Sequence, residues 1–242
     1  MMAISDEGVM QLNIFKSEAW QLIAKADAMC WLILLGLFIT SVVCVAIIVY
    51  KYRAFMRERK SLDALMKKMK DVRSFTDLVA VSKEYADGIG GRFLVTSLTE
   101  LKALLDISAK KTGDGNPVLS DREIAILEGE MSGALAHLVS ELEVYLPFLS
   151  TSAVAAPLVG LFGTIWGLIH SFMDISREKS ADIATVAPGL AEALIVTLAG
   201  LVVAIPSLIA FHFFASRVRK FDHHLNDIGD RFLNIVKYTF TR

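Results

Sequence analysis

The sequence predicts an all-α membrane protein with three transmembrane helices, two of which extend into a cytoplasmic helical domain. The first observation is compositional: 54% of the 242 residues are hydrophobic, and the mean hydropathy of +0.51 is high for a soluble protein. The second is the segregation of charge, because residues 28–50 and 144–169 contain no charged side chain and residues 183–216 contain only Glu192. Each run exceeds the roughly 20 residues that cross a bilayer as a helix.

The distribution of basic residues orients these spans. Lysine and arginine are concentrated just after the first run, from Lys51 to Lys70, and just after the third, from Arg217 to Lys220. The positive-inside rule therefore places both regions in the cytoplasm. The first run is too long for a signal peptide and no small-residue cleavage site follows it, which predicts a retained anchor. The predicted division is an outer amphipathic N-terminal segment at 1–27, transmembrane helices at 28–50, 144–173 and 183–216, a cytoplasmic helical domain at 51–143, a short outer loop at 174–182, and a cytoplasmic helical tail at 217–242.

The cytoplasmic segments have the apolar spacing of helices. A break is predicted at residues 88–91 and a loop at residues 111–117, which are rich in glycine, asparagine and proline. Ser120 and Glu123 have the spacing of a capping box, which predicts that a helix begins there. No helix breaker follows before Pro147, so this helix is predicted to run without interruption into the second span. The tail is predicted to continue the third span.

Several functional classes are disfavoured by the sequence. The formal net charge of −1 gives no support for nucleic-acid binding. We find no His-Glu-x-x-His or Gly-x-Ser-x-Gly motif and no paired acids within the spans, so the protein is predicted not to be an enzyme and no residue is assigned as catalytic. The adjacent His223 and His224 point about 100° apart on a helix, so no metal site and no cofactor is predicted. Cys30 and Cys44 are predicted to be apolar filling residues.

Small residues form a stripe on each of the last two spans at about 100° per residue. Small residues allow helix backbones to approach closely in lipid, so each stripe predicts a packing face. Each stripe also contains a threonine, Thr164 or Thr197. These hydroxyls either bond to their own helix or line a narrow polar path, and the sequence leaves both interpretations open. The stripes consist of Ala156, Gly160, Gly163, Thr164, Gly167 and Ser171, and of Ala193, Thr197, Gly200 and Ala204.

Glu192 is the most informative residue because a carboxylate at membrane depth is costly and therefore indicates function. It follows Pro188 and Gly189, which weaken a helix. On an ideal helix it lies roughly 140° from Thr197, so either Pro188 rewinds the helix locally or Glu192 faces a neighbouring helix or subunit. Glu192 is interpreted either as part of a proton or ion path or as a polar clamp between helices.

Two sequence motifs resemble those of a known family. Residues 156–172, APLVGLFGTIWGLIHSF, and residues 186–206, VAPGLAEALIVTLAGLVVAIP, are similar to the signatures of the MotA/TolQ/ExbB family. The resemblance implies a subunit of a proton-driven motor in the bacterial inner membrane, with a periplasmic N-terminus and a cytoplasmic C-terminus. By position, Thr164, Glu192 and Thr197 would face the partner in the pore. Family or helix-packing positions are Pro157, Gly160, Gly163, Gly167, Pro188, Gly189, Gly200 and Pro206.

The resemblance also implies partners. A homopentamer is expected to surround a dimer of a TolR- or ExbD-like single-span protein that carries the titrating aspartate, and to drive a TolA- or TonB-like effector; membrane lipid is the other expected contact. His170 favours the TolQ branch, while Ala156–Leu158 and the chain length lean towards the ExbB branch. The four-span MotA branch is disfavoured. A structural scaffold without proton coupling is the alternative of another class, and it should tolerate Glu192→Gln.

Overall fold

The computed structural model describes residues 28–112, 118–178 and 183–240, and all regular structure in these residues is helical. Three of the helices are long and apolar enough to cross a membrane. These findings confirm the predicted fold class. The predicted N-terminal amphipathic segment, most of the loop at 111–117 and residues 179–182 lie outside the described residues. The helices are α1 (Ala28–Met69), α2 (Phe75–Glu84), α3 (Ile89–Thr112), α4 (Asp121–Glu143), α5 (Leu146–Glu178) and α6 (Ile183–Phe240).

The chain divides into two compact units, and the first contains most of each apolar run, in the described parts of residues 1–47 and 147–211. Its core joins three helices around small and branched side chains, so it can pack closely without large aromatic residues. Long apolar side chains also cover its outer surface; Phe38 is 67% exposed and Ile209 is 65% exposed, as expected for helices that contact lipid or other subunits. The core consists of Cys30, Ile33, Leu37, Ala156, Val196, Val203 and Ala204.

The second unit comprises residues 48–146 and 212–242. In it, the continuation of α1 packs along the continuation of α6. Phe55 stacks on Phe214 with ring centroids 5.7 Å apart and meets Phe221 edge-on at 5.5 Å. Helix α3 contacts both α2 and α4. Ion pairs at the surface add links between elements, for example Lys237 Nζ to Glu128 Oε1 at 2.7 Å, although exposed pairs of this kind contribute little stability.

The glycines at 88–91 belong to the start of α3. Helix α2 ends at Glu84, and α3 begins at Ile89, whose N–H donates to Glu58 Oε2 at 2.9 Å. A carboxylate at this position satisfies an unpaired N–H and complements the helix dipole. A Cβ on Gly91 would overlap the Tyr85 carbonyl, so the tight turn requires glycine there. A break is therefore present, but it lies at residues 85–88; residues 89–91, which were predicted to belong to it, lie in α3.

The prediction that one uninterrupted helix runs from Ser120 into the second span is wrong. The capping box between Ser120 and Glu123 is present, but α4 ends at Glu143 and a separate helix, α5, begins at Leu146. Tyr145 has a φ of 70°, and this left-handed conformation interrupts the helical hydrogen-bonding pattern. The helices that continue unbroken far into the residues of the second unit are therefore α1, which ends at Met69, and α6, which ends at Phe240.

A buried lysine stabilises the end of α4 at this break. Lys51 is only 5% exposed, and its Nζ donates to the Leu142 carbonyl oxygen at 2.8 Å. A cation is favourable at a helix C-terminus, where carbonyl groups lack helical partners. Burial lowers the pKa of the Lys51 ammonium below its ordinary value of 10.5.

This pKa shift predicts a pH dependence of stability. Between the lowered pKa of folded Lys51 and 10.5, the unfolded chain binds more protons than the folded chain, so the free energy of unfolding rises with pH. The free energy of unfolding of the wild type minus that of Lys51→Met, measured by thermal unfolding, should therefore become more positive as the pH rises from neutrality towards 10.5. Lys60→Met gives the baseline for removing an exposed lysine of α1. A Lys51 difference that stays flat or falls would contradict the prediction.

Candidate functional site

Helices α5 and α6 pack against each other through small residues. We call this contact the α5–α6 interface. Residues further along α5 meet residues earlier in α6, so the two helices are antiparallel. The facing pairs are Ala156 with Gly200, Gly160 with Thr197, Gly163 with Val196, Gly167 with Ala193, and Ser171 with Gly189.

The distances at this interface leave no room for larger side chains. A Cβ on Gly200 would lie 2.6 Å from the Ala156 carbonyl oxygen, and a Cβ on Gly160 would lie 3.1 Å from Thr197 Cα. A Cβ on Gly167 would lie 2.8 Å from Ala193 Cβ. Because lipid offers no hydrophobic driving force between helices, close backbone packing of this kind holds membrane helices together.

Thr197 links the two helices with a hydrogen bond. Its Oγ1 donates to the Gly160 carbonyl oxygen at 3.0 Å, and the side chain is half-buried. The sequence left open whether this hydroxyl bonds to its own helix; it bonds to the other one. Interhelical hydrogen bonds in membranes contribute about 0.6 kcal/mol on average, with a maximum near 1.7 kcal/mol. Thr197 therefore has a structural role whatever else it does.

Thr164 differs from Thr197, because its Oγ1 donates within its own helix to the Leu161 carbonyl oxygen at 2.7 Å. It follows Gly163, which contacts Val196, so Thr164 and Thr197 lie at nearly the same level of the helix pair. The Thr164 side chain is half-buried. A threonine held this way still offers its oxygen lone pairs to a partner.

Glu192 lies within about two helical turns of the two threonines along the helix pair. The adjacent Ala193 is fully buried against Gly167, one turn along α5 from Thr164. Glu192 itself is half-buried, and the five residues to Thr197 correspond to a rise of about 7.5 Å. The structure thus brings Thr164, Glu192 and Thr197 to a common region of one helix pair.

The three prolines of the motifs lie inside helices. Pro157 is half-buried in α5, directly after Ala156 of the interface. Pro188 and Pro206 lie in α6 and are exposed. Helix α6 continues through both prolines, so the structure gives no support for a local rewinding at Pro188. Of the two explanations for the orientation of Glu192, a position facing a neighbouring helix or subunit fits the continuous helix.

The contribution of α1 was not foreseen. Ile33 Cδ1 lies 3.6 Å from the position of a Cβ on Gly163, so α1 closes one side of the site. The buried Cys30, Ile33, Leu37 and Cys44 could have indicated this face, because they recur at helical spacing in the first span. In the described parts of the chain, no group of three or more His, Cys, Asp or Glu side chains is placed to hold a metal ion.

Comparison with known proteins gives a family match. A model of the MotA/TolQ/ExbB proton channel family matches residues 87–227. This match includes the α5–α6 interface and all three polar residues of the candidate site.

Similar proteins cover nearly the whole chain. The Tol-Pal system protein TolQ of Haemophilus influenzae is 32% identical over 89% of this chain and 92% of the relative. The Tol-Pal system protein TolQ of Pseudomonas aeruginosa is 32% identical over 91% of this chain and 93% of the relative. The biopolymer transport protein ExbB of Salmonella typhimurium is 29% identical over 91% of this chain and 88% of the relative.

Proposed function

The chain belongs to the MotA/TolQ/ExbB proton channel family, and on this premise we propose that it is the channel subunit of a proton-driven motor in the bacterial inner membrane. The observation that carries the proposal is the placement of Thr164, Glu192 and Thr197 within about two helical turns of one another on a closely packed pair of apolar helices. A carboxylate placed there needs a compensating function. The N-terminus is periplasmic and the C-terminus cytoplasmic, in line with the basic residues that follow α1's apolar run and the third span.

The proposed mechanism places the titrating group on another chain. A homopentamer of this subunit surrounds a dimer of a single-span partner whose aspartate alternates between charged and neutral forms. The neutral form can donate its O–H to the oxygen lone pairs of Thr164 and Thr197, whose own hydroxyl protons are donated to backbone carbonyls, whereas the charged form has no proton to donate and is repelled by the negative charge of Glu192. Protonation therefore changes which face of the partner is favoured. The membrane potential supplies about 2.3 kcal/mol per charge per 100 mV.

We propose a Tol-Pal type role, with a TolR-like partner and a TolA-like effector that serve outer-membrane integrity and cell division. Support comes from His170 and from identities of 32% to TolQ proteins. The ExbB-like role, energising TonB-dependent uptake, is the second candidate, favoured by nearly equal identity and coverage. The gene should be deleted in its own host, and envelope leakage and TonB-dependent uptake measured. Envelope leakage alone supports the Tol-Pal type role, and loss of uptake alone supports the ExbB-like role. A deletion strain that shows no defect of either kind contradicts both roles.

A structural scaffold without proton coupling is favoured by the Thr197–Gly160 hydrogen bond, and Thr197 provides a test of it. Replacing Thr197 by valine keeps the shape and removes the hydroxyl, so the loss of stability should be about 1 kcal/mol. If Thr197 also lines the proton path, activity in cells should fall far more than this change explains. Thr197→Ser keeps the hydroxyl and should therefore retain both the stability and the activity of the wild type.

The comparison uses thermal unfolding of the purified protein alongside complementation of the deletion strain. Thr164→Val is the matched variant, because it removes a hydroxyl that bonds within its own helix. It should leave the unfolding temperature nearly unchanged while reducing activity. Activity that follows stability in both variants would support the scaffold and contradict the proton path.

A further inference from the structure

A small cavity with two arginines lies outside the α5–α6 interface. It has a volume of about 260 Å³ and lies entirely within the second unit, between the continuations of α1 and α6. Aromatic rings form most of its walls. The lining residues are Tyr52, Phe55, Met56, Arg59, Phe213, Arg217 and Phe221.

The cavity is positively charged. The Arg217 guanidinium lies over the Phe213 ring, with its Cζ 5.1 Å from the ring centroid, a favourable cation–π contact. Arg59 Nε lies 3.5 Å from Asp63 Oδ2, and both side chains are about half exposed. That contact uses one of five N–H donors of the guanidinium. The lining itself includes two guanidinium groups and no carboxylate.

The cavity lies where two apolar runs end. Tyr52 comes two residues after the end of the uncharged run 28–50. Phe213 lies near the end of the run 183–216, and Arg217 directly follows that run. Tyr52 is 53% exposed and Phe213 is 43% exposed. Exposed aromatic side chains beside arginines are typical of the membrane–water boundary on the cytoplasmic side.

We propose that this cavity binds the phosphate of an anionic phospholipid headgroup in the cytoplasmic leaflet. A guanidinium group can bind phosphate oxygens through two parallel N–H donors, and the lining offers two such groups. Basic pockets between helices at this boundary are suited to acidic headgroups. The exposed apolar surface of Met56 and Phe213 at the cavity then contacts the glycerol and acyl portion of the lipid. A free phosphate ion would leave this protein surface uncovered. The proposal rests on the proposed membrane orientation and is independent of proton coupling.

The test is thermal unfolding of the full-length protein purified in a neutral detergent. Phosphatidylglycerol should raise the unfolding temperature more than phosphatidylcholine does, because ligand that binds only the folded state stabilises it. In Arg59→Gln/Arg217→Gln, we expect this additional increase to fall by at least half. Arg219→Gln is the matched control, since it removes an arginine of the same helix that lies outside the cavity lining, and it should keep the increase.

Inorganic phosphate at the same concentrations distinguishes the two sources of the phosphate group. An equal increase with inorganic phosphate would overturn the lipid proposal in favour of a free-anion site, and an unchanged lipid response in the double variant would overturn the site itself. Arg217→Lys keeps the test valid if the double variant fails to fold, because lysine retains the positive charge and lacks only the planar guanidinium group. Native mass spectrometry should find fewer phosphatidylglycerol molecules bound to this variant than to wild type, and an equal number would also contradict the proposal.

Discussion

Replacing Gly200 by alanine is expected to destabilise the protein by roughly 1–3 kcal/mol, and replacing it by valine by more. The added Cβ would lie 2.6 Å from the Ala156 carbonyl oxygen. This oxygen belongs to a helix backbone and cannot move aside as a flexible side chain can. The α5–α6 interface must therefore widen, which weakens the packing and lengthens the Thr197–Gly160 hydrogen bond. The expected result is a lower unfolding temperature in detergent and loss of activity in cells.

Gly36→Ala provides the matched control. Gly36 also lies in an apolar run, but a Cβ there would meet nothing within 4 Å. Alanine is also the better helix former, so this variant should be as stable as wild type or slightly more stable. If Gly200→Ala and Gly36→Ala unfold at the same temperature, close approach at Gly200 does not hold the helices together.

Glu192→Gln is expected to reduce motor-dependent activity roughly tenfold or more, which corresponds to about 1.4 kcal/mol in a barrier. Glutamine keeps the size of glutamate but removes its charge and replaces one acceptor oxygen by an NH2 donor. If the charge of Glu192 repels the ionised form of the partner's aspartate and not its neutral form, glutamine at this position removes that difference between the two forms of the aspartate. Removing a half-buried charge from an apolar helix should leave stability unchanged or increase it.

Activity and stability must be measured on the same variants. The matched control is Glu130→Gln, which removes an exposed carboxylate from α4 and should leave both quantities unchanged. Full activity of Glu192→Gln would exclude the proton-coupled role and support a polar clamp. Parallel loss of stability and activity would mean that Glu192 chiefly holds the helices together.

Much of the fold could be predicted because its causes are local. Uncharged runs longer than a bilayer identify the three spans, and the spacing of Ser120 and Glu123 identifies the start of α4. The packing surfaces were also visible, since Gly160, Gly167 and Gly200 recur at helical spacing. In lipid, small size at regular spacing is almost the whole physical requirement for close packing.

Other features depend on tertiary contacts that no spacing reveals. Pro147, the second residue of α5, is compatible with the start of a helix and was the available signal for this break. The positive φ at Tyr145 could not be predicted, because tyrosine rarely adopts it. The Lys51 hydrogen bond to Leu142 joins residues 91 positions apart. Thr197 could have bonded to its own helix, and its choice of the Gly160 carbonyl follows from how closely the two backbones approach.

The closeness of the α5–α6 interface also has a consequence for the energy balance of the cell. Facing positions such as Gly160 and Thr197 are too close for a file of water molecules to fit along the line between the helices. A newly inserted, unassembled subunit should therefore not leak protons through this interface. If other chains complete the proposed proton path around Glu192, conduction begins only on assembly, and the membrane potential is not dissipated before then.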